Sequence, residues 1–495
     1  MSGWLLIGGL MCVTAFLTLH AIGDRSLWLD EGLSARMAQL DPVAGINATY
    51  QLPTPGAIAL YYLILHFWST FGSDPTWLRS FSAMCVIAAV PVVYVLGSRL
   101  IGRTVGITAA TVMGLSPFVV NEGQSARPYG LVILISTILT LILYSAIKGG
   151  GFRRWLLYAA VAAAGIYVHT TVAYLIAAQG SVAGIELVLC HRKSLRTFAE
   201  RGAAAAIIVL AGLPLTGQFS AAGLAGVAPP SIATVTSTMT DLAGGRTLLA
   251  VTCLGIVALP LVGWCWLKRG RGLEFAILVA ASIAPVALEL AFSLLRPMFI
   301  DRYLAMAVPG LALVIGAAVD LLSLERLTAG TAAMGSISMR STIARAAVLA
   351  VIAVLSLRSL VAPYTEQWST AVQMVASEYR PGDGVIVYPG YAREPFDYYA
   401  SKQPVFQDVT PLFPDVAWGQ YFPASGPSLQ SSLSTAVHVA RVWVIRRSGD
   451  AISDSDAKLL ASYLSCAGTI ESNTTLQGVT VERVDFSPTP CPAGT

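Results

Sequence analysis

Residues 129–147 read YGLVILISTILTLILYSAI, nineteen residues without a charged side chain. About 20 apolar residues in an α-helix span the hydrocarbon core of a bilayer, so this stretch predicts a transmembrane helix. Similar apolar runs occur at 3–21, 80–98, 104–120, 155–170, 172–190, 203–222, 247–267, 273–294, 303–322 and 343–362. We therefore predict an α-helical polytopic membrane protein with about eleven transmembrane helices.

Composition and charge distribution also indicate a membrane protein. Of the 495 residues, 55% are hydrophobic and only 12% are charged, unlike the average soluble domain. The net charge of +4 comes mainly from Lys and Arg in alternate loops, as the positive-inside rule requires for a cytoplasmic N-terminus. Nothing in this pattern indicates a nucleic-acid partner. With the high Ala and Gly content, it favours a multi-pass protein embedded in the lipid bilayer of a bacterial inner (plasma) membrane.

The sequence beyond Pro363 loses the long apolar runs and becomes rich in Pro, Ser and Asp. Alternating apolar residues predict three strands and one helix, at 383–389, 437–447, 478–486 and 453–464. Strands that alternate with helical patterns indicate a small α/β module.

We therefore expect two domains. The first is a transmembrane domain, residues 1–362, with a long first outer loop at 22–79, and the second is a soluble α/β domain, residues 363–495. An odd number of spans places the second domain outside the cytoplasm, where disulfides persist. Cys466 and Cys491 lie in that domain, and we predict that they pair; the alternative is two unrelated thiols.

The first outer loop begins with DRSLWLDEGLS, residues 24–34, in which Asp30 and Glu31 are adjacent. Carboxylates at a membrane boundary are costly to desolvate, so they indicate a task or a partner. Adjacent residues on a helix point about 100° apart, so the two acids cannot both face one reacting atom. One is a candidate catalytic base, and the other is an orienting or structural partner. The structural alternative is an ion pair of Asp30 with Arg25 or Arg36.

Two further outer segments carry cations and aromatic residues. In NEGQSARPYG, residues 121–130, Arg127 precedes Pro128 and Tyr129, which favours a turn that opens a helix. An arginine at a helix N-terminus suits a phosphate, although it could also snorkel beside Glu122. The segment 296–310 brings Arg302 and Tyr303 to the outer end of another predicted helix. The other outer candidates are Arg25, Tyr61, Tyr62, Arg79, Glu122, His169, Arg296 and Asp301.

All these groups are predicted on one face of the membrane. An acid that can take a proton, together with arginines that can hold a phosphate, is suited to transfer of a group from a lipid phosphate to a hydroxyl acceptor. We expect the acid and the arginines to face one pocket at the outer boundary of the bilayer.

The ordered motifs resemble the GT-C glycosyltransferases that use polyprenyl-phosphate sugars. The resemblance is carried by LWLDEGLSA (27–35), ALYYLILHFW (59–68), LSPFVVNEGQSARPYG (115–130) and DRYLAMAVPGLAL (301–313). The sequence is most similar to the branch of the protein O-mannosyltransferases and the lipid A aminoarabinose transferases. It departs from that branch at Ser125, where relatives often have Glu, and at PTPGAIALYY, where they often have His-Pro-Pro before the LYY run.

The resemblance implies that Asp30, of the catalytic pair Asp30 and Glu31, deprotonates the acceptor hydroxyl and that the sugar is transferred with inversion. It also implies that arginines and tyrosines stabilise the leaving phosphate, namely Arg127, Tyr129, Arg302 and Tyr303. The donor would be a sugar on an undecaprenyl-, decaprenyl- or dolichyl-type phosphate, and the acceptor a glycan, a lipid or a protein. No cofactor is implied with certainty, and a divalent metal near the two acids is not favoured.

Two other classes of function fit a polytopic membrane protein. One is a transporter or flippase for lipid-linked saccharides, and the other is a non-catalytic component of polysaccharide assembly. A transporter is expected to have internal repeats and charged groups near the bilayer midplane. Here no internal repeat is evident, and the charges lie at the predicted outer ends of helices.

Overall fold

The computed structural model describes residues 3–50, 52, 58–190, 194–220, 229–243, 245–321, 350, 354, 366–407, 409, 411–415, 429, 432, 439–448, 456, 458–462 and 468–486. The last predicted span, 343–362, lies almost entirely outside these residues. The predicted disulfide, Cys466 to Cys491, also lies outside them.

The chain divides into two compact units. The first, which we call the helical unit, consists of Met1–His20, Pro53–Tyr61 and Arg79–Val361. The second, which we call the mixed unit, consists of Ala21–Leu52, Tyr62–Leu78 and Ala362–Thr495. Most of the first outer loop is therefore part of the same unit as the C-terminal segment.

In chain order, the α-helices of the described residues are α1 Gly3–Leu19, α2 Leu29–Gln39, α3 Pro42–Thr49, α4 Ala59–Ser69, α5 Pro75–Leu100, α6 Arg103–Gly114, α7 Pro117–Gly123, α8 Tyr129–Gly149, α9 Phe152–Val168, α10 Val172–Cys190, α11 Leu195–Gly212, α12 Ile232–Ala243, α13 Arg246–Lys268, α14 Gly272–Ala281, α15 Ile283–Ser293, α16 Val308–Leu321, α17 Trp368–Glu378 and α18 Arg393–Ala400. A 3-10 helix, Asp301–Ala307, precedes α16.

Seven of the eleven predicted spans coincide with described helical segments that are long and apolar enough to cross a membrane, singly or as bent pairs. Among the described residues, five helical segments are long and apolar enough to cross a membrane, namely Pro75–Leu100, Tyr129–Gly149, Val172–Cys190, Leu195–Thr216 and Asp301–Asp320. Two bent pairs, α6 with α7 and α14 with α15, pass the same test jointly, with bends of 58° and 41°. Each predicted span from 3–21 to 303–322 coincides with one helix or one bent pair. The predicted polytopic helical fold is therefore confirmed.

The bend between α6 and α7 has a local cause. Pro117 begins α7 and has no N–H to continue the hydrogen bonds of α6. The Ser116 side chain instead caps α7 by accepting the N–H of Val119 at 3.4 Å. The Thr14 hydroxyl donates to the carbonyl of Gly114 at 3.0 Å. A carbonyl at the end of α6 thus has a partner inside the apolar core.

The mixed unit contains a four-stranded sheet. The strands are β1 Gly384–Tyr388, β2 Arg441–Arg447, β3 Gly468–Leu476 and β4 Val479–Phe486, in the order β1-β2-β4-β3. β1 is parallel to β2, whereas β4 is antiparallel to β2 and β3. The predicted strands correspond to β1, β2 and β4, and residues 458–462 of the predicted helix are helical. β3 was not predicted.

Both faces of β1 are buried. Val385 and Val387 of β1 pack with Trp368 of α17 and Phe396 of α18, whereas Ile386 lies in a separate core on the other face. This alternation follows from the two-residue period of a strand. Each fully buried side chain of this size stabilises the fold by about 1.5–3 kcal/mol, so the unit has a core of its own.

Candidate functional site

Arg127 is held at the start of α8. Residues 124–127 form a bend, and Pro128 is the N-cap residue of α8 with φ −67°. The Ser82 hydroxyl donates to the carbonyl oxygen of Arg127 at 2.9 Å. At Gly130, a Cβ would lie 2.8 Å from the carbonyl oxygen of Ser82, so only glycine permits this approach of α5 and α8. Arg127 is buried at this junction.

Three aromatic rings meet beside this junction. Tyr129, the first residue of α8, has its ring centroid 5.2 Å from that of His169 and 6.3 Å from that of Tyr303. The centroids of His169 and Tyr303 are 5.1 Å apart. His169 connects α9 to α10, and Tyr303 belongs to the 3-10 helix. We call these three residues the aromatic triad; they come from three segments far apart in sequence.

Both predicted phosphate-binding arginines act on the aromatic triad. Arg127 and Arg302 lie close enough to His169 for their positive charges to act on its ring. These charges and the burial of the ring favour an uncharged imidazole. Its Nδ1 lies 2.9 Å from the Thr171 hydroxyl oxygen and accepts the Thr171 backbone N–H at 3.3 Å. Because the backbone N–H can only donate, the tautomer with the proton on Nε2 is consistent with both contacts. The cluster thus combines two guanidinium charges with a neutral imidazole that can donate from Nε2.

The cluster formed by Arg127, Arg302 and the aromatic triad has the chemistry of an anion-binding site. Arginine presents several N–H donors in a planar fork that matches the oxygens of a phosphate. Arg127 is buried and Arg302 half-buried, so their charges are screened less than those of surface arginines. Two sequence motifs already predicted four of these residues as phosphate-binding, namely Arg127, Tyr129, Arg302 and Tyr303. The structure adds His169, which was only a secondary candidate in that grouping.

The two acids of the first outer loop have different surroundings. Both lie in the first turn of α2 in the mixed unit. Glu31 is fully buried, and its Oε2 accepts the backbone N–H of Trp28, the residue before the helix, at 3.4 Å. Asp30 is only half-buried. Glu31 therefore has a structural role at the start of the helix, which leaves Asp30 as the candidate reactive acid.

Residues of the C-terminal segment hold the start of α2. The N–H of Leu27 donates to the Tyr399 hydroxyl at 2.8 Å, and the N–H of Leu29 donates to Oε2 of Glu366 at 3.1 Å. Since the first N–H groups of a helix have no partner within the helix, these bonds stabilise its first turn. The backbone on both sides of Trp28 is thereby fixed two residues before Asp30.

Glu366 accepts hydrogen bonds from several elements of the mixed unit, a role that no sequence pattern predicted. The same Oε2 accepts the indole N–H of Trp368 at 2.6 Å. Its Oε1 accepts from Nε of Arg447 at 2.8 Å and forms an ion pair with that residue. One buried carboxylate thus connects α2, α17 and β2. A lone Glu in a mixed polar stretch gives no sequence signal for this role.

Arg36, near the end of α2, is anchored to α18. Its Nε donates to Oε2 of Glu394 at 3.4 Å, and its Nη2 forms an ion pair with Asp397. An ion pair of Arg36 with Asp30 was one alternative from the sequence, and the ion pairs of Arg36 among the described residues include Glu394 and Asp397. Burial raises the pKa of Glu394 to about 7 and outweighs the opposing attraction of Arg36. A Cβ at Gly32 would lie 2.5 Å from the backbone N of Pro395, so α2 and α18 pack backbone to backbone.

The remaining candidates are distributed over both units. Tyr61, Tyr62, Arg79 and Glu122 are buried, and Arg25, Arg296 and Asp301 are half-buried. Asp301 lies close enough to Asp241 of α12 to raise the pKa of that carboxyl, to which burial makes the larger contribution. Within the described ranges, no group of three His, Cys, Asp or Glu side chains could hold a metal ion.

Residues 55–216 match the family described as dolichyl-phosphate-mannose-protein mannosyltransferase. No curated protein sequence matches the chain. ArnT from Cupriavidus metallidurans in the apo state superposes with a TM-score of 0.63 at 12% identity, covering 97% of this chain and 98% of ArnT. The same ArnT bound to undecaprenyl phosphate gives 0.57 at 11% identity and covers 98% of each chain.

A third similar structure is the archaeal oligosaccharyltransferase AglB from Archaeoglobus fulgidus, solved with an inhibitory peptide and a dolichol-phosphate. Its TM-score is 0.55 at 12% identity, and the match covers 98% of this chain and 74% of AglB. At such identities the likeness concerns the fold. The predicted polytopic helical fold is confirmed at that level: the chain is a polytopic membrane protein whose fold is similar to those of ArnT and AglB.

Proposed function

We propose that this protein transfers a sugar from a polyprenyl phosphate to a hydroxyl acceptor on the extracytoplasmic face of a bacterial inner membrane. The acceptor is a glycan, a lipid or a protein. The N-terminus is cytoplasmic and the C-terminal segment is extracytoplasmic in this proposal. Support for the donor comes from ArnT with undecaprenyl phosphate and AglB with dolichol-phosphate, and from the match to a dolichyl-phosphate-mannose family.

The proposed reaction is a single displacement. Asp30 takes the proton of the acceptor hydroxyl as its oxygen bonds to the anomeric carbon of the donor. The bond from that carbon to the phosphate oxygen breaks, and the polyprenyl phosphate leaves with the electron pair. The configuration at the anomeric carbon is inverted. A base of this kind typically contributes about 10²–10⁴-fold to the rate.

The leaving phosphate gains negative charge as the bond breaks. Arg127 and Arg302 stabilise this charge, and Tyr129 and Tyr303 complete the pocket around the phosphate. Groups that favour the charge of the transition state over that of the substrate lower the barrier. Neutral His169 donates from Nε2 to a phosphate oxygen. Glu31 is a positioning residue, because its carboxylate is used at the N-terminus of α2.

The observation that carries the proposal is the cluster around the aromatic triad. Two arginines from separate sequence motifs both act electrostatically on the buried ring of His169. Two guanidinium groups beside one buried aromatic cluster suit the oxygens of a phosphate, because each presents a planar fork of N–H donors. The same fold with lipid-phosphate ligands in ArnT and AglB is consistent with this assignment.

The test is a transfer assay with purified protein. The donors are short-chain polyprenyl phosphates that carry mannose, glucose or arabinose, and the acceptors are an envelope glycan fraction, lipid A and a Ser/Thr-rich peptide. We expect release of free polyprenyl phosphate with one donor, together with a glycosylated acceptor whose new linkage is inverted relative to the donor. Absence of release with every donor would contradict the proposal.

A transporter for lipid-linked saccharides gives a different result in proteoliposomes. It would move a fluorescent polyprenyl-phosphate sugar between leaflets and leave its glycosidic bond intact. The proposed transferase instead cleaves that bond only when acceptor is present. Measuring both leaflet exposure and bond cleavage in the same vesicles separates the two classes.

A further inference from the structure

A narrow cavity opens between α10 and α11 of the helical unit, away from the aromatic triad. Its volume is about 380 Å³, and its walls are almost entirely apolar. Glycines form much of the wall: a Cβ at Gly180, Gly184 or Gly202 would meet no atom within 4 Å. We call this cavity the slot. Along α10 it extends from Ile176 to Leu187, a length of about 17 Å at 1.5 Å per residue.

The slot faces lipid. The neighbouring side chains Ile185, Val188 and Phe198 are 60%, 61% and 59% exposed although they are large and apolar. The span that contains α11 is the least buried of the five long apolar helices among the described residues, at 22%. Apolar side chains so exposed on a membrane helix are solvated by acyl chains. A chain from the bilayer can therefore enter the slot sideways.

One end of the slot is charged. The helices α9, α10 and α11 carry four arginines and two glutamates, all at the same end, namely Arg153, Arg154, Glu186, Arg196, Glu200 and Arg201. The remainder of these helices is uncharged. The net charge at this end is thus positive, and the positive-inside rule assigns it to the cytoplasmic leaflet, where anionic lipids reside.

Arg201 forms the wall of the slot at this end. It is only 8% exposed, and its guanidinium lies 5.1 Å from the ring centroid of Trp155. Nη2 pairs with Glu186 at 2.5 Å, and Nη1 donates to the carbonyl of Ala183. Nε has no hydrogen-bond partner among the described residues. A buried donor without a partner costs about 1–3 kcal/mol, and Arg201 lines the slot.

The lining selects the occupant. The walls are apolar over most of the slot, and Arg201 lies at one end. This combination fits a hydrocarbon chain that carries an anionic head group. A chain in the slot would place its polar end among the arginines. Basic pockets between membrane helices on the cytoplasmic side bind anionic lipid head groups.

We propose that the slot is a binding site for one anionic phospholipid of the cytoplasmic leaflet. One acyl chain occupies the space over Gly180, Gly184 and Gly202, and the head-group phosphate contacts the arginines at the start of α9 and α11. The lipid fills the gap between α10 and α11, and its phosphate supplies a hydrogen-bond acceptor for Nε of Arg201 at the charged end. This site is separate from the proposed sugar transfer and does not depend on it.

Native mass spectrometry of the delipidated full-length protein tests the proposal. The protein is mixed with equal amounts of phosphatidylglycerol and phosphatidylcholine that carry the same acyl chains. We expect the first bound lipid to be phosphatidylglycerol in at least severalfold excess. Equal binding of the two lipids would overturn the proposal.

Gly184→Leu is the decisive variant, because its side chain enters the slot without a backbone clash. We expect it to lose the phosphatidylglycerol preference. Gly9→Leu is the matched control and should behave as wild type, since Gly9 is also an exposed glycine of an apolar helix at which a Cβ would meet no atom within 4 Å. Retention of the preference by Gly184→Leu would overturn the proposal. A wild-type dimer that Gly184→Leu dissociates would also overturn it and would identify the slot as a contact between two copies.

Discussion

The cluster around the aromatic triad and the helix α2 carry the two halves of the proposed chemistry, but they are built in different ways. The cluster is formed by residues at the ends of membrane helices, and neighbouring pairs in sequence supply its arginines and tyrosines. The acid-bearing α2 depends on partners 337 to 372 positions away in the sequence. Motifs that are local in sequence can be recognised before the structure is known. Anchors that are distant in sequence cannot, although they determine where the acid lies.

Among the changes that compare the two regions, substitution of Asp30 is expected to have the largest effect on the transfer rate. Asp30→Asn keeps the size of the side chain and removes its ability to accept a proton, so the transfer rate should fall about 10²–10⁴-fold. The measurement is the initial rate of polyprenyl phosphate release. Asp24→Asn is the matched control, because Asp24 is an exposed acid of the same loop. An Asp30→Asn protein with wild-type turnover would remove the proposed base.

Loss of a phosphate-binding cation should have the next largest effect. Arg302→Gln should lower the transfer rate about 10²-fold, because it removes one charge that stabilises the leaving phosphate. Arg302→Lys should recover part of that loss, since it restores the charge without the planar fork. Arg246→Gln serves as the control, as Arg246 is exposed at the start of α13. Equal rates for Arg302→Gln and Arg246→Gln would exclude Arg302 from the site.

The anchoring of α2 can be broken at its buried ion pairs. Arg36→Gln removes a cation that pairs with both Glu394 and Asp397, although Arg393 still pairs with Asp397, and breaking a buried pair costs about 3–5 kcal/mol. We expect a large fall in the free energy of unfolding of the mixed unit, measured by denaturant titration followed by tryptophan fluorescence. Arg196→Gln should change it by no more than about 0.5 kcal/mol, because the Arg196 side chain is 83% exposed. Similar losses in both variants would argue against the anchoring role of Arg36.

The raised pKa of Glu394 makes this anchor sensitive to pH. The folded pKa of about 7 exceeds the ordinary value of about 4.3, so the native state binds more protons between these two values. The stabilisation is fully present below about pH 4.3 and is lost as the pH rises through 7. Glu394→Gln should flatten this part of the curve of unfolding free energy against pH, whereas Glu378→Gln, at a carboxylate that is 52% exposed, should not. If Glu394→Gln kept the wild-type dependence of unfolding free energy on pH, another group would be responsible for that dependence.

The smallest effect is expected at a single hydrogen bond. Tyr399→Phe removes the hydroxyl that accepts the Leu27 N–H, which should destabilise the start of α2 by about 1 kcal/mol. Amide hydrogen exchange in residues 24–32 should become several times faster. Tyr398→Phe is the control, because the Tyr398 hydroxyl instead donates to the carbonyl of Ser73. Unchanged exchange in Tyr399→Phe would show that this bond does not hold the helix.

The extent to which the sequence predicted this molecule follows from the range of each interaction. Membrane spans could be predicted because a bilayer requires about 20 apolar residues in one run. Three of the four strands could be predicted because their apolar residues alternate or are continuous. β3, with the sequence GTIESNTTL, was missed because it is an edge strand among the described strands and carries mostly polar side chains.

Part of the candidate site could also be grouped from the sequence. Arg127 with Tyr129, and Arg302 with Tyr303, are near neighbours beside apolar runs and could be grouped from sequence. The convergence of these pairs on His169 could not, because it depends on packing of the 3-10 helix against α8. The partner of Arg36 was missed because Glu394 is 358 positions away. Neither the spacing nor the local composition of these residues indicates that they meet.

The central claim is that the protein binds a polyprenyl phosphate that carries a sugar and that Asp30 is needed to release the sugar. Mass spectrometry of the lipids that copurify with Asp30→Asn tests it most directly, since blocked transfer should trap the loaded donor. The account predicts a polyprenyl phosphate with an attached sugar in this variant and the sugar-free lipid phosphate in the wild type. Asp30→Asn protein that carries only ordinary phospholipids, or only sugar-free polyprenyl phosphate, would contradict it.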